Sequence, residues 1–492
     1  MNTKLFIFFS DRKSLAFISL LFSITIHAQK NTVKASDFGA IVNDGKDDTF
    51  SLQKAIDHLS KNKGGTLVLD KGSYNVSHLS FIGLQYSNIT MMGQGANITI
   101  IKQILPNVRR NVRGNKFSTY ATRTAGDGIL VFDANVSNQK NDDLSIKNIL
   151  IAGLSFVSEV EKFGFDELSH QISAHGVSGF TVSNCNFTGF LGDAVSINGS
   201  TDFSKNRDAY NKNIKISECK FDGVNKNNRQ AISIYYSDGF VIEKCSFKNT
   251  TRDDMPGAID IEADQDFNIS RNGKILNCSF ENIGGIGAIC IVLKPSVQLN
   301  DYSNKNFLID GCTFTKINTP LAVIGNSGFK TFDSGKGFYI TFSNSTVDTS
   351  ASIMDLRSAY GIRISNISFS NISSKILNVV SDVGGRAILF ENCSFRNVTN
   401  PNGLGFTGDT SEIDFVNCRF ENFSIHAITI NSVKGARKFI NNKFISTSYK
   451  GGEPLVIPYY SNRRDVSHIS IKNNHSQGNF LNLDVNHYFK KK

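Results

Sequence analysis

One short phrase, Asn-Cys-x-Phe with close variants, recurs through this chain: NCNF at Cys185, ECKF at Cys219, KCSF at Cys245, NCSF at Cys278, GCTF at Cys312, NCSF at Cys393 and NCRF at Cys418. The first five copies are 34, 26, 33 and 34 residues apart, the last two 25 apart, and weaker copies stand at Asn366–Phe369 and Asn442–Phe444. A period of this size marks stacked supersecondary units. A strand-like segment precedes each cysteine, as in NIKISECKF, VIEKCSF and FLIDGCTF. A second follows a turn: DAVSI, QAISI, GAIDI, GAICI and PLAVI. The segments are short and β-branched, separated by Gly, Asn, Asp and Ser, with no helical spacing between them.

Strands contributed once per coil lie above one another and run parallel. The expected fold is therefore all-β, a right-handed parallel β-helix (a solenoid) cored by ladders of Ile, Val, Phe and Cys. The composition suits it, with 39 Phe, 40 Gly, 7 Pro and no Trp in 492 residues. Eight cysteines in an exported chain would ordinarily suggest disulfides. Seven of them share one slot of the repeat, so they read as small buried hydrophobes stacked on their copies. Cys290, in AICIVL, stands outside the pattern. The many Asn-x-Ser/Thr triplets, among them Asn249, Asn277 and Asn392, read by their repeat position as asparagine turns.

A stack of coils needs its apolar end closed. Residues 48–60, DTFSLQKAIDHLS, place Leu52, Ala55, Ile56 and Leu59 on one helical face behind an Asp/Thr start, which predicts an N-terminal capping α-helix. Upstream, Lys4, Arg12 and Lys13 precede an apolar run from Ser14 to Ile26 and a small-residue exit at Ala28-Gln29, the pattern of a cleaved secretory signal. The expected organisation is a signal peptide over 1–28 and a single β-helix domain over 29–492. Within that domain the cap spans about 37–75 and the coils about 76–480. No later run is long enough to span a membrane, so with the signal segment the expected protein is secreted or periplasmic, and a monomer is the expected state. Removing 1–28 takes away three cations and one acid, so the formal charge falls from +10 to +8. A basic exported protein suits an anionic polysaccharide, and export argues against nucleic acid. The segment from Lys102 to Arg123 holds six cations and no acid, a candidate lip for such a chain.

The segment SDFGAIVNDGKDDTFSLQKAID followed by GGTLVLDKGSYNV resembles the N-terminal signature of the pectate-lyase-like β-helix superfamily. The matching positions are Asp37-Phe38-Gly39-Ala40, Asp47-Asp48-Thr49, Gln53, Ala55-Ile56, Gly64-Gly65-Thr66, Gly72 and Tyr74. The resemblance implies carbohydrate-chain cleavage, in a superfamily that also holds epimerases, tailspikes and non-catalytic proteins. It departs from the polygalacturonase set: Asp253-Asp254 is a pair, but Asn-Thr-Asp, Gly-His-Gly and Arg-Ile-Lys are missing. The Asp-Pro-His of mannuronan epimerases is absent too. Glu262-Ala263-Asp264 is similar to the Glu-x-Asp that carries catalysis on one strand of iota-carrageenases.

That motif lies in GAIDIEADQD, residues 257–266, where alternation puts Asp260, Glu262 and Asp264 on one face. Aligning coils sends Val195, Ile232, Ile259 and Ile289 inward, with Ile197, Ile234, Ile261 and Ile291. The outward columns are then Ser196, Ser233, Asp260, Cys290 and Asn198, Tyr235, Glu262, Val292, expected to form one surface patch. Carboxylates two residues apart on a strand are about 6.6 Å apart, a spacing suited to an acid and a base across a glycosidic bond. Mutual repulsion would raise one pKa, as a general acid needs. Solvated or ion-paired carboxylates, with Arg229, Arg252 or Lys294 as cations, are one alternative, and calcium ligation is another. Arg229, Tyr235, Asp193 and Lys294 are the candidate substrate-binding residues, Arg229 for an anionic group and Tyr235 for a sugar face. His170 and His175, in SHQISAH, belong to an earlier coil. The expected function is a glycoside hydrolase cleaving an anionic polysaccharide without a required cofactor. A calcium-dependent lyase and a non-catalytic glycan-binding β-helix are the alternatives.

Overall fold

The computed structural model describes residues 31–104, 128–134, 145–198, 211–263, 270–293, 295–296, 301–302, 304–325, 338–373, 377–379, 386–401, 403–406, 412–430, 437–446, 454–456 and 469–478. The expected signal segment 1–28 and most of the basic segment 102–123 lie outside the described residues. Sheets of 16 and 14 strands run the length of the stack, a third of ten strands covers 79–379 and a three-stranded sheet follows it over 404–456, and every pairing within these sheets is parallel. One coil reads Val177–Ser183, Asn186–Thr188 and Val195–Asn198 in turn, before Asn211–Ser217 begins the next. This is a parallel β-helix.

The recurring phrase now has a physical account. The residue before each cysteine is left-handed, with φ of 49° at Asn184, 56° at Glu218, 53° at Lys244, 53° at Asn277 and 55° at Asn392. Asparagine tolerates that region best among non-glycine residues, so it fills the slot most often. Its amide also stacks on its copy in the neighbouring coil, as Asn366 Nδ2 donating to Asn344 Oδ1 at 3.1 Å and Asn441 Nδ2 to Asn417 Oδ1 at 3.1 Å. Asn249 occupies a second left-handed slot, φ 49°, and accepts from Asn282 Nδ2 at 2.8 Å. The turn having bent the chain, the cysteine enters the core; all eight cysteines are free and buried. Two residues on, the phenylalanines stack face to face. Phe156, Phe187, Phe221, Phe247, Phe280 and Phe314 follow one another with centroids 4.8–5.2 Å apart, the spacing of adjacent strands.

A helix spans Thr49–Lys61, where the periodicity placed it, and buries Leu52, Ala55, Ile56 and Leu59. Asp48 fixes its entry: its carboxylate accepts from the Ile41 amide at 3.0 Å and the Asn75 amide at 3.1 Å. The helix packs on the strands Gly65–Val68 and Leu79–Ile82. The second of these opens the ten-stranded sheet, which runs on to Leu377–Val379 and carries the candidate site.

Candidate active site

Five consecutive strands of the ten-stranded sheet build the site: His170–His175, Val195–Asn198, Ile232–Ile234, Ile259–Ile261 and Ile289–Leu293. Their register is the one the alternation requires. Val195, Ile232, Ile259 and Ile289 pair in one column and Ile197, Ile234, Ile261 and Ile291 in another, and all are buried in the core. Between the two lies the outward column Ser173, Ser196, Ser233, Asp260, Cys290. At the strand ends the Tyr235 amide donates to Ile197 O and the Glu262 amide to Ile234 O, continuing the second outward column from Asn198.

Burial corrects one expectation. The outward side chains do not form an open surface patch: Ser233 and Asp260 are 0% exposed, Ser196 3% and Tyr235 5%, while Asn198, Glu262 and Val292 of the second column are half-buried. Polar side chains just before two of the strands, Asp193 and Gln230, lie with this face. Gln230 illustrates this, fully buried, its Nε2 making a long 3.5 Å contact to Asp260 Oδ2. Its main-chain N–H donates to Asp193 Oδ1 at 3.3 Å, so one residue connects two buried carboxylates.

Asp193, two residues before Val195, is fully buried and is the anchor of the cluster. Its Oδ2 accepts from Arg229 Nη1 at 3.2 Å, and His170 Nδ1 lies 3.4 Å away. That same Nδ1 accepts the Asp193 main-chain N–H at 3.0 Å, which leaves the imidazole proton on Nε2. Burial pushes the Asp193 carboxyl above its ordinary range, and the Arg229 charge and the Gln230 amide work against that rise. Arg229 is 15% exposed at its side chain; burial disfavours its charge, but Asp193, Tyr235, Asp260 and Glu167 more than offset this and hold the guanidinium above its usual value. It reaches Glu167 at 3.8 Å and stands 5.6 Å from the Tyr235 ring centroid. Burial, reinforced by Asp193, raises the Tyr235 phenol well above its usual range, so it is a neutral donor at neutral pH. Beyond Asp260 in the same column, burial and then the charges of Asp260 and Glu262 push the Cys290 thiol up.

Of the expected residues, the structure therefore gathers Asp193, Arg229, Tyr235 and Asp260, with Glu262 at the open edge. Asp264 and Lys294 lie outside the described residues. Arg252 pairs with Asp254 in the flanking loop, at 2.8 Å, rather than with the strand carboxylates. His170 joins the cluster through Asp193. Gln230 and Glu167 were not singled out from sequence; Gln230 holds in QAISI the place that Asp193 holds in the preceding coil, and that equivalence was the available signal. Tyr235 Oη and Gln230 Oε1 are buried with no hydrogen-bond partner among the described residues, as expected of groups that serve a bound ligand or water. Among the described residues no group of three or more His, Cys, Asp and Glu side chains is arranged to hold a metal ion.

No family model matches the chain. One stretch of 108 residues, 21% of the chain, is 36% identical to mannuronan C5-epimerase AlgE3 of Azotobacter vinelandii, and it spans 6% of that relative's length. Among solved structures, the A-module of mannuronan C-5 epimerase AlgE6 from Azotobacter vinelandii superposes with a TM-score of 0.50 at 13% identity, over 90% of this chain and 99% of that one. The Agl-KA catalytic domain gives 0.54 at 13% identity, over 92% and 68%. With its three long parallel sheets, the chain shares the parallel β-helix fold of these structures.

Proposed function

We propose that this protein acts on an anionic polysaccharide by carboxylate acid/base chemistry, and that it is a glycoside hydrolase. The observation that supports this reading is the cluster itself. Two fully buried carboxylates, Asp193 and Asp260, are connected through Gln230 under Arg229 and Tyr235, next to a half-exposed third, Glu262. Asp260, buried in the outward column between Ser233 and Cys290, takes the role of the general acid. Glu262, with access to solvent, activates the water, and Asp264 is the further candidate for that role. Asp193, fixed by Arg229, shapes the field around the acid. Tyr235, the remaining guanidinium donors of Arg229 and Lys294 bind the sugar and its anionic group. In the same reading the protein is exported as a monomer, helix Thr49–Lys61 closes the N-terminal end of the stack, and calcium is not required.

A second reading is elimination or C5 inversion at a uronate. The local match to an epimerase favours it, as does Tyr235 beside Arg229, since a cation must neutralise the uronate carboxylate before its neighbouring proton is removed. The test is incubation of the purified protein with uronate and sulfated polysaccharides, with and without a chelator. Reducing ends and ultraviolet absorbance of unsaturated product are followed together. Reducing ends without absorbance support hydrolysis, and joint growth supports elimination. A changed uronate ratio by NMR with neither signal supports inversion. No change in any polymer overturns the proposal.

A further inference from the structure

A second concavity lies on the same sheet, at its N-terminal end. Asp47, Thr49, Phe50, Gln53, His78 and Ser80 line an open cleft of about 510 Å³. Ser80 stands in the outward column of Asp260, five strands earlier, or about 24 Å along the stack. The walls are rigid. Gln53 clamps the Ser80 main chain, donating to its carbonyl at 2.9 Å and accepting its amide at 2.8 Å, while Thr49 Oγ1 accepts the Ser77 amide at 2.9 Å. On the floor, His78 Nδ1 sits 3.1 Å from the Gly128 carbonyl, which can only accept, so Nε2 is the acceptor for the Ser80 hydroxyl at 2.5 Å.

With those polar groups committed, and Asp47 Oδ1 accepting the Thr49 amide at 2.9 Å, Phe50 and Lys54 are the apolar face and the cation that meet a ligand, the exposed Asp47 carboxylate setting the side on which its anionic group cannot sit. Phe50 is 70% exposed, unusual for a large aromatic ring in a chain that buries most of its phenylalanines. Lys54 Nζ lies 4.2 Å from the ring centroid and makes no ion pair among the described residues. The face of Phe50 not covered by the Lys54 ammonium, with that cation free of ion pairs among the described residues and the hollow below, matches a pyranose ring bearing a carboxylate or sulfate.

We infer that this cleft is a remote sugar-binding site that holds the same anionic polysaccharide about 24 Å from the reacting bond. The inference rests on the polysaccharide reading above and adds to it a site outside the catalytic cluster. The site raises affinity for long chains by tethering them.

The test is native gel electrophoresis through dissolved alginate, polygalacturonate or iota-carrageenan, with a neutral glucan as comparator, together with kinetics on the retarding polymer. Phe50→Ala, on an exposed ring, should fold normally by circular dichroism. It should weaken retention and raise KM roughly 2- to 10-fold, the size of one aromatic contact, with kcat unchanged. Lys54→Ala should weaken retention by the anionic polymers and leave the neutral glucan unaffected. Oligosaccharides too short to span the two sites should be processed identically by parent and variants. Equal retention and KM for Phe50→Ala and the parent overturn the remote site alone. A parent retained and altered by none of the probes overturns the polysaccharide reading as well.

Discussion

Replacing Arg229 by methionine isolates what holds the buried cluster together. The guanidinium lies 3.2 Å from the fully buried Asp193 carboxylate. At an effective dielectric constant of about 20, that separation gives an attraction of about 332/(20 × 3.2), or roughly 5 kcal/mol. Methionine keeps most of the packing but leaves the carboxylate buried and uncompensated, which costs about 3–5 kcal/mol. The loss depends on pH. The Asp193 pKa in the fold is already above its ordinary 3.8, chiefly through burial, so between 3.8 and the raised value the folded protein binds more protons than the unfolded chain. Stability therefore falls as pH rises through that window, and Arg229→Met moves the upper edge of the window higher. The deficit should be largest at neutral pH and should shrink toward about pH 4.5, by about 1.4 kcal/mol for each unit below the shifted pKa. Urea denaturation followed by far-ultraviolet circular dichroism at the two pH values measures it. The double variant Arg229→Met/Asp193→Asn, with neither charge, should recover most of the loss. A deficit under about 1 kcal/mol at neutral pH, the size of an exposed pair, would refute the reasoning, as would a deficit independent of pH.

Phe247→Ala should destabilise the stack by about 3–5 kcal/mol, because the ring contacts Phe221 at 4.9 Å and Phe280 at 4.8 Å; thermal melts of variant and parent measure it. Asn277, at φ 53°, should tolerate glycine nearly without cost, whereas alanine should lower stability by about 1–2 kcal/mol in urea titrations. Because all eight cysteines are free and buried, a reductant should leave the melting temperature unchanged, and thiol reagents should label them only after unfolding.

The core was legible in the sequence because a repeated coil repeats its physics. Asn-Cys-x-Phe encodes a left-handed turn, a small buried residue, an outward residue and a stacking ring, so one reading of Cys185 fixed the slot of every copy. Strand register followed from alternation alone, and the Val195, Ile232, Ile259, Ile289 column is paired as expected. The cluster was less legible, because its burial depends on loops that do not repeat. Nothing in GAIDI says that Gln230 of the preceding coil folds toward Asp260, nor that Arg229 spends part of its charge on Asp193. The spacing of 34 residues at one junction and 26 at the next shows that these loops differ in length, and their reach is a tertiary property.

The most direct measurement compares the parent with Asp260→Asn and Glu262→Gln on whichever polysaccharide the parent alters, with circular dichroism and polymer retention recorded alongside. Rates at least 100-fold lower in both variants, with fold and retention kept, are the expected result for residues that move protons at the reacting bond. Full activity in either variant would contradict a catalytic role for that carboxylate, and retention by a parent that alters no polymer would make this β-helix a glycan-binding protein instead.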